Sequence, residues 1–184
     1  MMPLQIEFFS YNSELWFRRP DGTAKRLSES DAEIVTSLLN YIEEFYPEAY
    51  VALCKEYERC SRNLPLYRFR MVKRFCMCNF GNIDKIDDID CGGRLHLECV
   101  PCPLRGECRL EEIICSPKFN SHISDAEKRV LKLWYNGQSK EEIADTLYLS
   151  IFTVNNHIRN AFARINVHSK AEFFKWAQTN SIFD

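Results

Sequence analysis

The sequence has no apolar run approaching the roughly 18–20 residues that a membrane-spanning helix requires, so no such helix is expected. Its first residues, Met1 to Glu7, lack the basic stretch and apolar core of a secretory leader. A cytoplasmic chain without a membrane partner is therefore expected. There is no excess of one charge either. Lys and Arg number 24 against 26 Asp and Glu, a net charge of −2. A polycation that coats nucleic acid is excluded, and any nucleic-acid contact must use a local surface. The chain also lacks an internal repeat, a low-complexity tract, a glycine-rich phosphate loop, a Ser/His/Asp order and a paired-carboxylate setting. These absences remove the usual supports for an enzyme.

What is present is an ordinary globular composition, 46% apolar and 27% charged over 184 residues, enough for one domain or two small ones. Two short apolar and aromatic runs, 4–10 and 14–19, flank Tyr11-Asn12-Ser13, and a third run covers 23–27 beyond Pro20-Asp21-Gly22. Strands joined by tight turns are expected there. Helical periodicity then takes over. Ser30-Asp31-Ala32-Glu33 has capping-box spacing ahead of Ile34, Val35, Leu38, Leu39, Ile42 and Phe45. Pro47 suits the first turn of a second helix, and Asn63 can cap a third. Residues 55–74 hold seven basic side chains against two acidic ones, which is a solvated helix face or an auxiliary phosphate-contacting surface. Asp84, Asp87, Asp88 and Asp90 lack the spacing of a calcium loop and are expected in an acidic surface loop. Residues 94–100 alternate with strand period.

From Ile123 the punctuation is that of four short helices. Ser124 to Glu127 and Ser139 to Glu142 are capping boxes, Asn136-Gly137 is a stop signal, and Ser150 can cap a longer helix. In that helix Val154, Ile158, Ala161 and Ile165 recur at steps of four, three and four, which turns Asn155, Asn156, Arg159 and Ala163 outward. Residues 151–171 contain Arg159, Arg164 and Lys170 and no acidic side chain, as a helix lying among phosphates requires. Helix, tight turn and helix is the layout of a major-groove reader. Asn can pair with adenine and Arg with guanine.

Glu127-x-x-Val130-Leu131-x-Leu133, Gly137-x-Ser139-x-x-Glu142-Ile143-Ala144-x-x-Leu147-x-Leu149-Ser150-x-x-Thr153-Val154-x-x-His157 and Arg164-Ile165-x-Val167 resemble the LuxR/GerE-type helix-turn-helix of bacterial transcription regulators over about residues 122–178. The resemblance implies that 150–165 is the recognition helix. It also implies that the chain binds double-stranded DNA as a homodimer through a fourth helix around Ala171 to Gln178, with RNA polymerase as a further partner. The DNA-contacting set it suggests is Lys140, Ser150, Thr153, Asn155, Asn156, Arg159, Arg164 and Lys170. The first two asparagines and Arg159 would face bases, with Lys140, Thr153, Arg164 and Lys170 on phosphates. Asn155 stands where the family often has Lys.

Nine cysteines in a chain expected in a reducing compartment are an odd number and cannot all pair. Cys99, Cys102, Cys108 and Cys115 follow Cys76, Cys78 and Cys91, and Pro101, Pro103 and Gly106 keep the intervening loop irregular. Thiolates suit zinc and iron–sulfur clusters. The run Cys-x-x-Cys-Pro-x-Arg-x-x-Cys over 99–108 resembles the iron–sulfur segment of WhiB-like regulators across ten residues. Cys78, Cys102, Cys108 and Cys115 are the expected metal ligands, with Cys99 in place of Cys115 as the other set. Cys108 and Cys115 can share one ion only if 109–114 bends. His96 and His122 are possible substitutes, and Cys54 and Cys60 are expected to pack. Zinc is the expected metal, an iron–sulfur cluster the alternative.

The expected architecture is an α+β sensor or interaction domain, residues 1–118, with a cysteine-rich metal-binding segment at 76–118. An all-α four-helix helix-turn-helix domain follows at 119–184. The expected function is sequence-specific transcription regulation without enzymatic activity. A redox-responsive iron–sulfur regulator and a protein-interaction module that does not touch DNA are the alternatives.

Overall fold

In the computed structural model, residues 5–81, 83, 87–91, 93–180 and 182–183 are described. The expectations placed on Leu4 and Asp84 lie outside these residues. The chain divides into two packed units, 1–118 and 119–184.

The first unit opens with a three-stranded antiparallel sheet, β1 (Glu7–Tyr11), β2 (Glu14–Arg18) and β3 (Ala24–Arg26), in the order β1-β2-β3. Asn12 and Ser13 both take positive φ, +50° and +62°, the geometry of the two-residue turn whose twist matches a hairpin. Phe8 lies opposite Phe17. Together with Leu15 these rings are fully buried, while Phe9 and Trp16 stack on the other face. The sheet packs with α1 (Ala32–Phe45), α2 (Pro47–Glu56) and α3 (Leu64–Asn79), through a core that includes Leu38, Ile42, Leu53, Val72 and Phe75. Asn63 caps α3 by accepting from the Leu66 amide, and Pro47 begins α2.

Three expectations are corrected here. The capping box at Ser30 to Glu33 does not form. Asp31 is the residue that flanks α1, and its carboxylate turns back to accept from the Ser28 amide at 3.0 Å and hydroxyl at 2.8 Å, and from Lys25. The strand expected at 94–100 is reduced to a single bridge, Leu95 to Ile89, which also bridges Ile6. The alternation reflects Leu95 entering the core, while the backbone is tied to the preceding loop and to the end of α3 instead of a neighbouring strand. The His96 amide donates to Asp88 O and the Glu98 amide to Asn79 O. Asp88 is not on an acidic surface. It is buried and accepts from the Phe8 amide at 2.6 Å. Asp90 holds the Arg94 amide and the His96 ring.

The second unit comprises α4 (Asp125–Tyr135), α5 (Lys140–Leu147), α6 (Ile151–Arg164) and α7 (Lys170–Thr179). Ser124 with Glu127 and Ser139 with Glu142 form reciprocal capping boxes, and Ser150 and Ser169 accept from Thr153 and Glu172 amides. Gly137, at φ +90°, reverses the chain after α4, where a side chain would be strained. Val130, Leu131, Ile143, Val154, Ala161 and Phe173 fill the core. No described helix is long and apolar enough to cross a membrane.

Candidate nucleic-acid interface and thiol cavity

Two surfaces stand out, one in each unit. In the first, the end of α3 meets the irregular loop 98–116. Asn79 is the buried clamp. Its Nδ2 donates to Phe75 O at 2.9 Å and Ile114 O at 2.8 Å, and its Oδ1 accepts from the Ser116 amide at 3.1 Å. Gly81 donates to the Glu98 carboxylate, and its Cα lies so close to Val100 that an added Cβ would come within 3.2 Å of that side chain. The loop turns on itself through the Arg105 amide to Cys102 O and the Cys108 amide to Leu104 O. Glu112, at φ +59°, bends the stretch between Cys108 and Cys115 away from continuous helix.

These ties build a cavity of about 570 Å³ with Cys78, Cys102, Cys108 and Cys115 on its wall. All nine cysteines are free. Cys99, the alternative ligand, is exposed and does not line it, nor do Cys54, Cys60, Cys76 and Cys91. Burial pushes the Cys78 thiol above its usual 9.0; Arg74 opposes that rise, and the neighbouring Cys115, Cys102 and Cys108 add to it. Arg74 Nη2 lies 3.7 Å from Cys108 Sγ, whereas its buried Nε has no hydrogen-bond partner. Among the described residues no three Cys, His, Asp or Glu side chains stand close enough together to hold a single metal ion. His96 is taken up by Asp90.

In the second unit, α5, the three residues 148–150 and α6 make a helix, a tight turn and a helix. The turn is closed by Leu149 N donating to Ala144 O at 2.9 Å, with Tyr148 in the left-handed region. Val154, Ile158 and Ala161 are buried, so the opposite face of α6 is free of the core. Lys140, Phe152, Asn155, Asn156 and Arg159 border one shallow concavity that runs along the flank of α6 and reaches Ile158, Phe162 and Trp134 at the edge of the core. Lys140 Nζ donates to Asn155 Oδ1 at 2.6 Å, and Arg159 Nη2 to Asn156 Oδ1 at 2.9 Å. Both amide Nδ2 groups remain as donors in these pairs, and cationic groups are held beside them. The Ser150 hydroxyl is spent on the cap, 3.0 Å from the Thr153 amide and 2.8 Å from its hydroxyl.

Residues 121–177 match the family model described as bacterial regulatory proteins of the luxR family. This segment is a luxR-family helix-turn-helix domain. The chain is 34% identical over 70 residues to the Fimbriae Z protein of Salmonella typhimurium, covering 36% of this chain and 33% of that protein. It is 32% identical over 89 residues to the CsgBAC operon transcriptional regulatory protein of Escherichia coli, covering 42% and 41%. A probable csgAB operon transcriptional regulatory protein of Salmonella typhimurium matches to the same extent. The chain thus spans about a third to two fifths of the length of the curated relatives it matches. No solved structure gives a significant match.

Within the luxR-family domain, all three cations assigned to phosphates on sequence grounds have internal partners, Lys140 through its bond to Asn155. Arg164 forms an ion pair with Glu127, whose carboxylate is 3% exposed and also holds the Ser124 amide and hydroxyl. Lys170 Nζ lies 5.2 Å from the Trp134 ring centre and 5.4 Å from that of Phe174, within cation–π range. Phe173 and Trp176 are buried in the domain's own core and Phe174 stacks on Tyr135. The aromatics of α7 therefore face inward, and its exposed stripe is Ala171, Lys175 and Gln178. Sequence reasoning passed over Phe152, 74% exposed in the first turn of α6, where a large apolar side chain outside any buried stripe was the available signal. It also placed Arg74 in a basic run without seeing that it faces thiols.

Proposed function

We propose that this chain is a sequence-specific DNA-binding transcription regulator that inserts α6 into the major groove. The observation that carries the reading is the α6 face. Asn155, Asn156 and Arg159 stand together on a helix whose opposite side is buried, inside a domain of a family of regulatory proteins. The relatives named as operon regulators support it.

Asn155 and Asn156 have the donor and acceptor pattern that adenine requires, and Arg159 the fork that guanine requires. Phe152 offers an apolar surface for a thymine methyl group. Lys140 and Thr153 sit at the edge of this face and serve phosphates. Arg164 and Lys170 contribute mainly by holding α6 and α7 to the rest of the domain. One such domain offers few contacts, so two copies on paired half-sites raise affinity through effective concentration. The exposed stripe of α7 is the surface for that pairing. In the N-terminal unit, the four-thiol cavity serves as a metal-binding site that is structural or sensory.

The test compares two variants on a duplex selected from random sequence. Arg159→Ala should weaken binding by about 1–3 kcal/mol and relax the preference at one base pair. Lys140→Ala should weaken all sequences alike and reduce the slope of log K against log salt by about one. Unchanged affinity and preference in Arg159→Ala would exclude α6 as the reading helix.

A further inference from the structure

We infer that the cavity walled by Cys78, Cys102, Cys108 and Cys115 seats an iron–sulfur cluster, with one thiolate from each residue and Arg74 as its counter-cation. The inference rests on the reading of this cavity as a metal site and assigns the group it takes.

Four of nine cysteines face one space, Cys108 and Cys115 seven residues apart and Cys78, on α3, 24 residues before Cys102. Packing alone gives no reason for this convergence. Thiolate is a soft ligand that suits zinc or iron–sulfur clusters, and the only carboxylate on the wall among the described residues, Glu111, is already held by the Gly106 amide and lies 4.0 Å from Arg105.

Size separates the two soft-ligand choices. At Zn–S lengths near 2.3 Å, four sulfurs around one tetrahedral ion stand roughly 3.8 Å apart. No such tight group exists among the described residues, although all four cysteines are described. A cluster is ligated at separate irons, so its cysteines stand farther apart, and a cavity of about 570 Å³ has room for its core. Val100, Pro103, Leu104 and Ile114 give the wall an apolar lining, while the exposed stretch 101–106, Cys102 included, leaves the cavity open to solvent on one side, so a bound centre would be reachable from solvent.

Arg74 supplies the charge. A cluster with four thiolates is anionic. Arg74 Nη2 already points at Cys108 Sγ, and its Nε is buried without a partner, leaving a donor for a cluster sulfide. Loading is a ligand exchange with a preformed cluster on a thiol carrier. Each cysteine Sγ loses its proton and bonds iron, the carrier's thiolate leaves and takes up that proton, and no electrons are transferred.

The full chain purified without air is analysed for iron, acid-labile sulfide and zinc, and its visible absorption is recorded. The expected result is a coloured protein with equal iron and sulfide, about two or about four of each per chain. Cys102→Ser and Cys115→Ser should lose most of the iron and the visible band. Cys99→Ser and Cys91→Ser should keep both, which a merely local packing role would not distinguish. A colourless protein with about one zinc per chain overturns the cluster and leaves the metal-site reading standing. Neither metal overturns both. Loss of the band in Cys99→Ser with retention in Cys115→Ser overturns the ligand set. The wild-type metal content decides the matter even if a Ser variant fails to fold.

Discussion

Glu127 performs two functions with one carboxylate, and removing it should expose how the luxR-family domain is held together. It accepts from the Ser124 amide at 2.9 Å and hydroxyl at 2.7 Å, closing the capping box of α4, and it pairs with Arg164 at the end of α6. Loss of a cap costs about 1 kcal/mol. A hydrogen bond to a charged group contributes about 1.5–3 kcal/mol, and the lower end applies because Arg164 is 47% exposed and can return to water. Glu127→Ala should therefore destabilise the domain by about 2–3 kcal/mol, lowering its Tm by about 10–20 °C for a unit of this size. Glu127→Gln keeps an acceptor for Ser124 and should lose about 1 kcal/mol less.

Acidification provides a second readout. Burial pushes the Glu127 carboxyl up, but the Ser124 hydroxyl and amide and the Arg164 guanidinium outweigh it and hold the group below its usual 4.5. A depressed carboxyl pKa adds stability that is present above the unfolded value and lost as pH falls through the folded one. The gap between wild type and Glu127→Gln should thus be full above pH 4.5 and close below it. Thermal unfolding of the full chain carrying Trp16→Phe, which leaves Trp134 and Trp176 as the emitting tryptophans, reads both effects. A loss under about 0.5 kcal/mol in Glu127→Ala, typical of an uninvolved surface site, would refute the argument.

Two further outcomes follow from single positions. Tyr148 sits at φ +55° with 96% of its surface exposed, so Tyr148→Gly should raise stability by about 1 kcal/mol in denaturant unfolding, because it relieves left-handed strain without losing packing. Asp88→Ala strands the buried Phe8 amide and should cost about 1–3 kcal/mol in the N-terminal unit, read as a shift in midpoint at constant m.

How legible the molecule is in its sequence depends on the distance over which each feature is decided. The caps of α3 to α6 are set by residues within one turn, and Asn63, Ser124, Ser139 and Ser150 all act where local spacing puts them. The buried stripe of α6 follows from 100° per residue. Ser30 to Glu33 has the same local spacing, yet Lys25 and Ser28 compete for Asp31 and the box does not form. Residues 94–100 show strand period without a strand, because periodicity reports a buried face and says nothing of a pairing partner. The remaining features are long-range. Arg164 finds Glu127 37 residues away, Phe8 finds Asp88 80 residues away, and Arg74 meets Cys108 across 34. No local pattern encodes these contacts, which is why a phosphate-facing role for Arg164 and a solvated run including Arg74 were reasonable from the sequence and incomplete in the structure.

The central claim is that α6 reads the major groove, and guanine N7 lies only there. The most direct measurement is methylation interference on a selected duplex bound by the full chain. The account predicts that methylation at N7 of guanines in each half-site blocks binding, and that Arg159→Ala abolishes the interference at one of them. Binding that tolerates N7 methylation throughout the site, with interference confined to minor-groove positions, would contradict it.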